Sequence, residues 1–150
     1  MLDDVINEMK SIMDSVDEVG IVHPYRRAVS SEADVIRLFK DENTGQIRAW
    51  DITRETTAEN DRTVGATEDL HLIVVRGYMS VKDADATETD FQNLIEAIRA
   101  KFRVNRNLNG KVIETMPMQV RIVSAATLAG VLCHYCELTK QVQEFPLSTS

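Results

Sequence analysis

One predicted strand is apolar on both of its sides. Over residues 70–81, Leu70, Leu72 and Val74 alternate with His71, Ile73 and Val75. Successive side chains of a strand point to opposite faces. A strand with no polar side belongs in the middle of a sheet, with material packed on each face. Gly77 allows a bend or bulge before Tyr78-Met79-Ser80-Val81 continues the run. The 150 residues suffice for one such domain with a real core, and leave little for a second. Residues 1–145 are expected to form that domain, and residues 146–150, from Pro146, a tail.

Two segments have the spacing of helices that could cover the sheet. Leu2, Val5, Ile6, Met9, Ile12, Met13 and Val16 recur along one face of residues 2–17, and the other face is charged. Gly20 ends that segment. Phe91, Leu94, Ile95, Ile98 and Phe102 mark the buried face of a second helix over 87–103. Thr87 is its expected N-cap, with Asp90 at the back-bonding position. Arg99, Lys101 and Arg103 lie at its C-terminal end, where they complement the helix dipole.

The remaining segments read as strands and loops. Pro24 makes the stretch around His23-Pro24-Tyr25-Arg26-Arg27 extended. Residues 33–40 and 46–54 are expected to form a hairpin around the turn cluster Asp41-Glu42-Asn43-Thr44-Gly45. In its second strand Arg48, Trp50, Ile52 and Arg54 share one face, and Ile47, Ala49, Asp51 and Thr53 the other. Neither face is cleanly apolar, so only partial cover is expected. Residues 55–69 are almost wholly polar and read as a long loop, a length usually functional or disordered. Residues 118–123 and 130–145 alternate as closing strands, with a small, flexible link from Ser124 to Gly130. The expected fold class is α+β: a mostly antiparallel sheet with an N-terminal helix and a second helix packed on it.

Charge and cysteine content exclude several functions. The net charge of −7 gives no affinity for a phosphate backbone, so sequence-independent DNA binding is not expected, and no sequence-specific nucleic acid partner is expected either. The charge is uneven. Asp3, Asp4, Glu8, Asp14, Asp17 and Glu18 crowd the first twenty residues, whereas Arg99, Lys101, Arg103, Arg106 and Lys111 share a stretch without acids. The bland reading is two solvated surfaces; the alternative is pairing between copies. The acidic start lacks the basic, then apolar, character of a signal peptide. No apolar run approaches the ~20 residues of a membrane span, so no membrane partner is expected. The chain reads as cytosolic.

Cys133-His134-Tyr135-Cys136 looks like half a zinc site. On a strand, however, residues three apart face opposite ways, and no second cysteine pair completes the set. Asp41–Gly45 departs from the calcium-loop pattern. No phosphate-cradling glycine loop and no nucleophile elbow is present. The expectation is no catalytic residue, no metal and no cofactor. Candidate interface residues are Trp50 with its face-mates Arg48 and Arg54, a composition favoured at interfaces, and Asp61 and Arg62 from the long polar segment. Trp50 reads equally well as a core residue.

Several stretches together carry a resemblance. They are Val22-His23-Pro24-Tyr25-Arg26-Arg27 after an amphipathic helix, the strands over 36–54 and 70–81, and Phe91 to Phe102 running into Asn107-Leu108-Asn109-Gly110. The chain then closes with Ala129-Gly130-Val131-Leu132-Cys133-His134-Tyr135-Cys136-Glu137-Leu138 and a last strand. In order of elements, over about residues 1–145, the chain resembles the tail terminator (tail completion) proteins of tailed bacteriophages. The resemblance implies a structural subunit of a homohexameric ring with no catalytic residues. Such a ring caps the tail tube protein, stops its polymerisation and meets the head-tail connector or neck protein. It implies a place in the virion tail or neck, assembly in the bacterial cytoplasm, and DNA passing through the lumen. Alternatives are another phage neck or head-completion subunit, or a small ligand-binding or enzymatic α+β domain.

Overall fold

The structure is a computed structural model that describes residues 2–63, 66–82, 85–108 and 114–144. Its elements run α1 (Leu2–Asp14), β1 (Ile21–His23), α2 (Glu32–Phe39), β2 (Lys40–Asp41), β3 (Gln46–Thr63), β4 (Ala66–Ser80), α3 (Thr87–Val104), β5 (Glu114–Thr115), β6 (Gln119–Leu128) and β7 (Val131–Glu144). The described strands form one seven-stranded sheet in the order β1-β3-β4-β7-β5, with β2 also beside β3 and β6 also beside β7. Only β1 runs parallel to its neighbour; the other pairings are antiparallel. The fold is α+β, with a mixed, mostly antiparallel sheet and an N-terminal helix. No described helix is long and apolar enough to cross a membrane.

β4 is the central strand, paired along its length with β3 and β7. Ile73, Val75 and Met79 enter the main core on one face, where α1 contributes Val5, Met9, Ile12 and Met13. α3 adds Phe91, Leu94, Ile95, Ile98 and Phe102 to the same core. Both amphipathic helices thus bury the faces their spacing defines. Tyr78 faces the other way, into a smaller cluster with Ala49, Ile47 and Cys133, closed by Val35 and Phe39 of α2. The Phe39 and Tyr78 rings stack at 5.2 Å.

Four local expectations are corrected. The expected strand over 33–40 is instead helical through Phe39, as α2, and only Lys40 is extended, in β2. Ser31 caps the helix, its hydroxyl accepting from the Asp34 backbone N–H at 3.2 Å, while Asp34 accepts from the Ser30 hydroxyl at 3.2 Å. Val35 and Phe39, four apart, then bury on one face. The Asp41–Gly45 turn still joins two paired strands, but the first, β2, is only Lys40–Asp41.

The described residues of the expected loop, 55–63 and 66–69, are strand. They continue β3 and β4 as an antiparallel ribbon, paired from Thr56↔Leu72 out to Thr63↔Ala66. Residues 54–61 are exposed on both sides. The eighteen residues of β3 span roughly 60 Å, well beyond the core they start in.

Ser124–Leu128 belongs to β6, which returns to β7 through Ala129 (φ 49°) and Gly130 (φ 85°). Positive φ at both central residues is the two-residue hairpin turn whose twist matches its strands. Finally, Ala86 precedes α3 with no side-chain cap. Thr87 Oγ1 instead accepts from the Lys82 N–H at 2.9 Å and bonds the His134 ring at 2.8 Å. The expected tail, 146–150, lies outside the described residues.

Candidate interaction surfaces

The five residues expected at an interface do not converge. Trp50 is wholly buried. Its indole N–H donates to the Val19 carbonyl at 2.7 Å and its ring stacks on Phe91 at 5.9 Å. It is a core residue, because Val16, Val19 and α3 close over this end of β3. Arg48, on the same face, donates to the Glu18 carbonyl at 2.9 Å and ties down the chain between α1 and β1. A Cβ on Gly20 (φ 91°) would overlap the Arg48 carbonyl, so that close approach needs glycine. Arg54 and Asp61 are exposed on the ribbon. Arg62 is in β3, and its side chain lies outside what the structure describes.

The ribbon carries its acids in a pattern. Glu59 pairs with Asp69 and Asp61 with Thr67, so Glu59, Asp61 and Asp69 share one face. Next along that face, His71 Nδ1 meets Thr57 Oγ1 at 2.8 Å. Asp69, His71 and Glu144 have donor atoms within 4.8 Å of one another. Among the described residues this is the group best placed to hold a divalent cation. The Cys133–Cys136 segment does not supply one: Cys133 lies in the α2-side cluster and Cys136 in the main core, on opposite sheet faces. Burial pushes the Cys133 thiol up to about 11 and raises that of Cys136 as well. The other histidines are elsewhere, His23 bonding the Leu38 carbonyl at 2.8 Å and His134 stacking on Phe91 at 5.7 Å.

Beyond the reach of α2, the outer sheet face is finished by charge. Asp51, fully buried, takes both arms of Arg76, Nε at 2.9 Å and Nη2 at 2.7 Å. Burial works to lower the Arg76 pKa, but the bond and charge of Asp51 outweigh it and the net shift is upward. Further along, Arg121 of β6 donates to Glu137 at 2.9 Å and to both oxygens of Glu55, at 3.1 and 2.8 Å. Tyr135 donates to Glu137 at 2.6 Å. Beside this network β6 is an open edge, with Val120 and Ile122 exposed at 38% and 43%. The outer half of β3 is open too, since β1 and β2 pair only with Gln46–Asp51. Among the described residues the sheet therefore has an unpaired stretch on each side, a feature that proteins otherwise tend to blunt or cover.

The basic stretch of the sequence gains a member from afar. Arg99, Arg103 and Arg106 line a cavity of about 260 Å³ with Lys140 of β7, over Phe102, Pro117 and Met118. Lys140 is 2% exposed. Its ammonium donates to the Met116 carbonyl at 2.8 Å and lies 5.5 Å from the Phe102 ring centre. Burial, and then the charge of Arg106, bring its pKa down to about 8.

A consequence for stability follows from that shift. In the unfolded chain the amine titrates near its ordinary value of 10.5, so between about pH 8 and 10.5 the unfolded state binds more protons than the folded one. Stability then rises with pH across that window. The penalty is full below pH 8, at about 3 kcal/mol, and is gone above 10.5. Lys140→Met is expected to stabilise the protein at pH 7 by about 2 kcal/mol, since leaving the Met116 carbonyl unpaired offsets about 1 kcal/mol. Urea unfolding of both proteins at pH 7 and 10 checks this; the gap should narrow at the higher pH.

No protein-family model matches the chain, and no curated protein matches it either.

Proposed function

We propose that the chain is a structural, non-enzymatic subunit that joins other copies of itself into a closed ring, acting as a tail terminator of a tailed bacteriophage. The observation that carries the assembly reading is the pair of sheet edges left open among the described residues, β6 on one side and the ribbon half of β3 on the other. Two unlike surfaces on opposite sides of one subunit favour head-to-tail contact, and such contacts close into rings when the rotation between neighbours allows. The projecting ribbon supplies reach. The tail-terminator identity, the six-fold number, the tail tube and the neck protein as partners come from the resemblance in element order.

In this reading the work is steric. The ring covers the end of the tube to which the next tube subunit would add, and presents a surface that does not extend the tube. Native mass measurement of the chain, alone and mixed with tail-tube protein, tests it. Six-membered rings, free or on tube ends, are the expected result; a strict monomer under both conditions overturns the reading. Replacing residues 61–67 with an Asn-Gly turn shortens the ribbon outside the core. That variant is expected to keep the melting temperature within a few degrees and to lose assembly. Loss of the folded monomer would count against a ribbon devoted to assembly.

A further inference from the structure

The cavity around Lys140 concentrates positive charge to no purpose inside the subunit. Arg99 is engaged, donating to Glu96 at 2.9 and 2.8 Å and to the Met118 carbonyl at 3.4 Å. Among the described residues, no carboxylate pairs with Arg103, Arg106 or Lys140. Arg103 and Arg106 are exposed at the mouth, and Lys140 is buried behind them. A buried ammonium beside a guanidinium is costly unless an anion joins it. The apolar floor, Phe102 with Met118, would strengthen any charge pair formed there by excluding water.

The complementary charge lies on the ribbon. Glu59 and Asp61 are exposed, two residues apart on one face, at the far end of an arm that leaves the core. Carboxylates on a projecting arm and unmatched cations in a recess are the two halves of a head-to-tail contact.

We propose that the cavity formed by Arg103, Arg106 and Lys140 receives the acidic face of the ribbon, at Glu59 and Asp61, of a second copy of this chain. This rests on the self-assembly reading and specifies its contact. Carboxylates entering the recess accept charge-assisted hydrogen bonds from the arginines and lie close to the lysine. The acids need not touch Lys140, because opposite charges a few ångströms apart attract without contact.

A charge-swap experiment tests the proposal. One variant carries Arg103→Glu and Arg106→Glu, the other Glu59→Lys and Asp61→Lys. All four positions are exposed, so folding should survive, and circular dichroism with thermal melting verifies it. Sedimentation velocity and native mass measurement then compare wild type, each variant and a 1:1 mixture, with tail-tube protein added if wild type assembles only on tube ends. Each variant alone opposes like charges and should associate at least about 100-fold more weakly than wild type. In the mixture, lysine ribbons meet glutamate cavities, while the unaltered acidic ribbons meet the unaltered basic cavities. Assemblies that alternate the two variants should therefore reappear. Variants that assemble like wild type, or a mixture that stays dissociated, overturn the ribbon as occupant while leaving the ring reading in place. Wild type that remains monomeric even with tube protein overturns both.

Discussion

Trp50→Ala should destabilise the protein by about 3–5 kcal/mol, and by more than any change to the exposed ribbon. The side chain is fully buried and makes three separate contacts. Its N–H holds the Val19 carbonyl, its ring stacks on Phe91, and its outer edge lies over Gly77 of the neighbouring strand. Trp50 and Gly77 are direct cross-strand partners. A Cβ on Gly77 would fall inside the van der Waals surface of ring atoms Cζ3 and Cε3. The ring is held on its other sides by Phe91 and Val19, so it cannot move away cheaply. Gly77→Ala is therefore expected to be costly in wild type and nearly harmless beside Trp50→Leu, which vacates the space. The coupling in that double-mutant cycle should be about 1–3 kcal/mol, read from urea unfolding of the four proteins. Additive effects would show that the ring does not depend on the glycine.

Which parts of this arrangement could be read from sequence follows from what burial does to a pattern. α1 and α3 each bury one face over several turns, so Leu2 to Val16 and Phe91 to Phe102 carry their periodicity openly. α2 has only eight residues. Its apolar residues Val35, Ile36, Leu38 and Phe39 are too few to separate a helical from an extended spacing. The informative signal was Ser31 followed three residues later by Asp34, a capping pattern. The β3 half of the ribbon, residues 54–61, buries neither face, so nothing selects an alternation there, and a strand of polar residues looks like a loop. Its threonines, Thr53, Thr56, Thr57, Thr63 and Thr67, were the available hint of extended backbone.

The candidate surfaces were legible only in fragments. Arg48, Trp50, Ile52 and Arg54 do share a face, as alternation requires, yet that face is core. The arginines disguised it: Arg48 sends its head out to the Glu18 carbonyl, and Arg54 lies where cover has ended. The basic stretch from Arg99 was visible. Its completion by Lys140 was not, since β7 brings that residue under α3 by long-range pairing and Lys140 by itself reads as one more surface lysine.

Asp51→Ala is expected to cost about 3–5 kcal/mol, because it leaves the Arg76 guanidinium, 13% exposed, without its bidentate partner. It also removes the acceptor for the Arg27 backbone N–H at 3.4 Å, which anchors the segment crossing the outer face. Arg76→Leu should be similarly harmful, stranding a carboxylate with no exposure at all. The pair Asp51→Val with Arg76→Leu should recover most of the loss, since apolar replacements of a buried ion pair are often neutral. Register is what the ion pair adds. Asp51 and Arg76 are directly opposed, one step from Trp50 and Gly77. A one-residue slip would send Trp50 to the outer face and the charges into the core. Beyond Arg54 the exposed β3 strand supplies no apolar face to choose a register, so the inner half contributes most to the pairing of the arm. The apolar double variant should thus be as stable as wild type but less uniform. Its ribbon amides, from Thr56 to Asp61, should exchange with solvent faster, and their NMR signals should double. Unchanged ribbon signals in a stable double variant would show that Trp50 and Gly77 alone set the register on which the position of Glu59 and Asp61 depends.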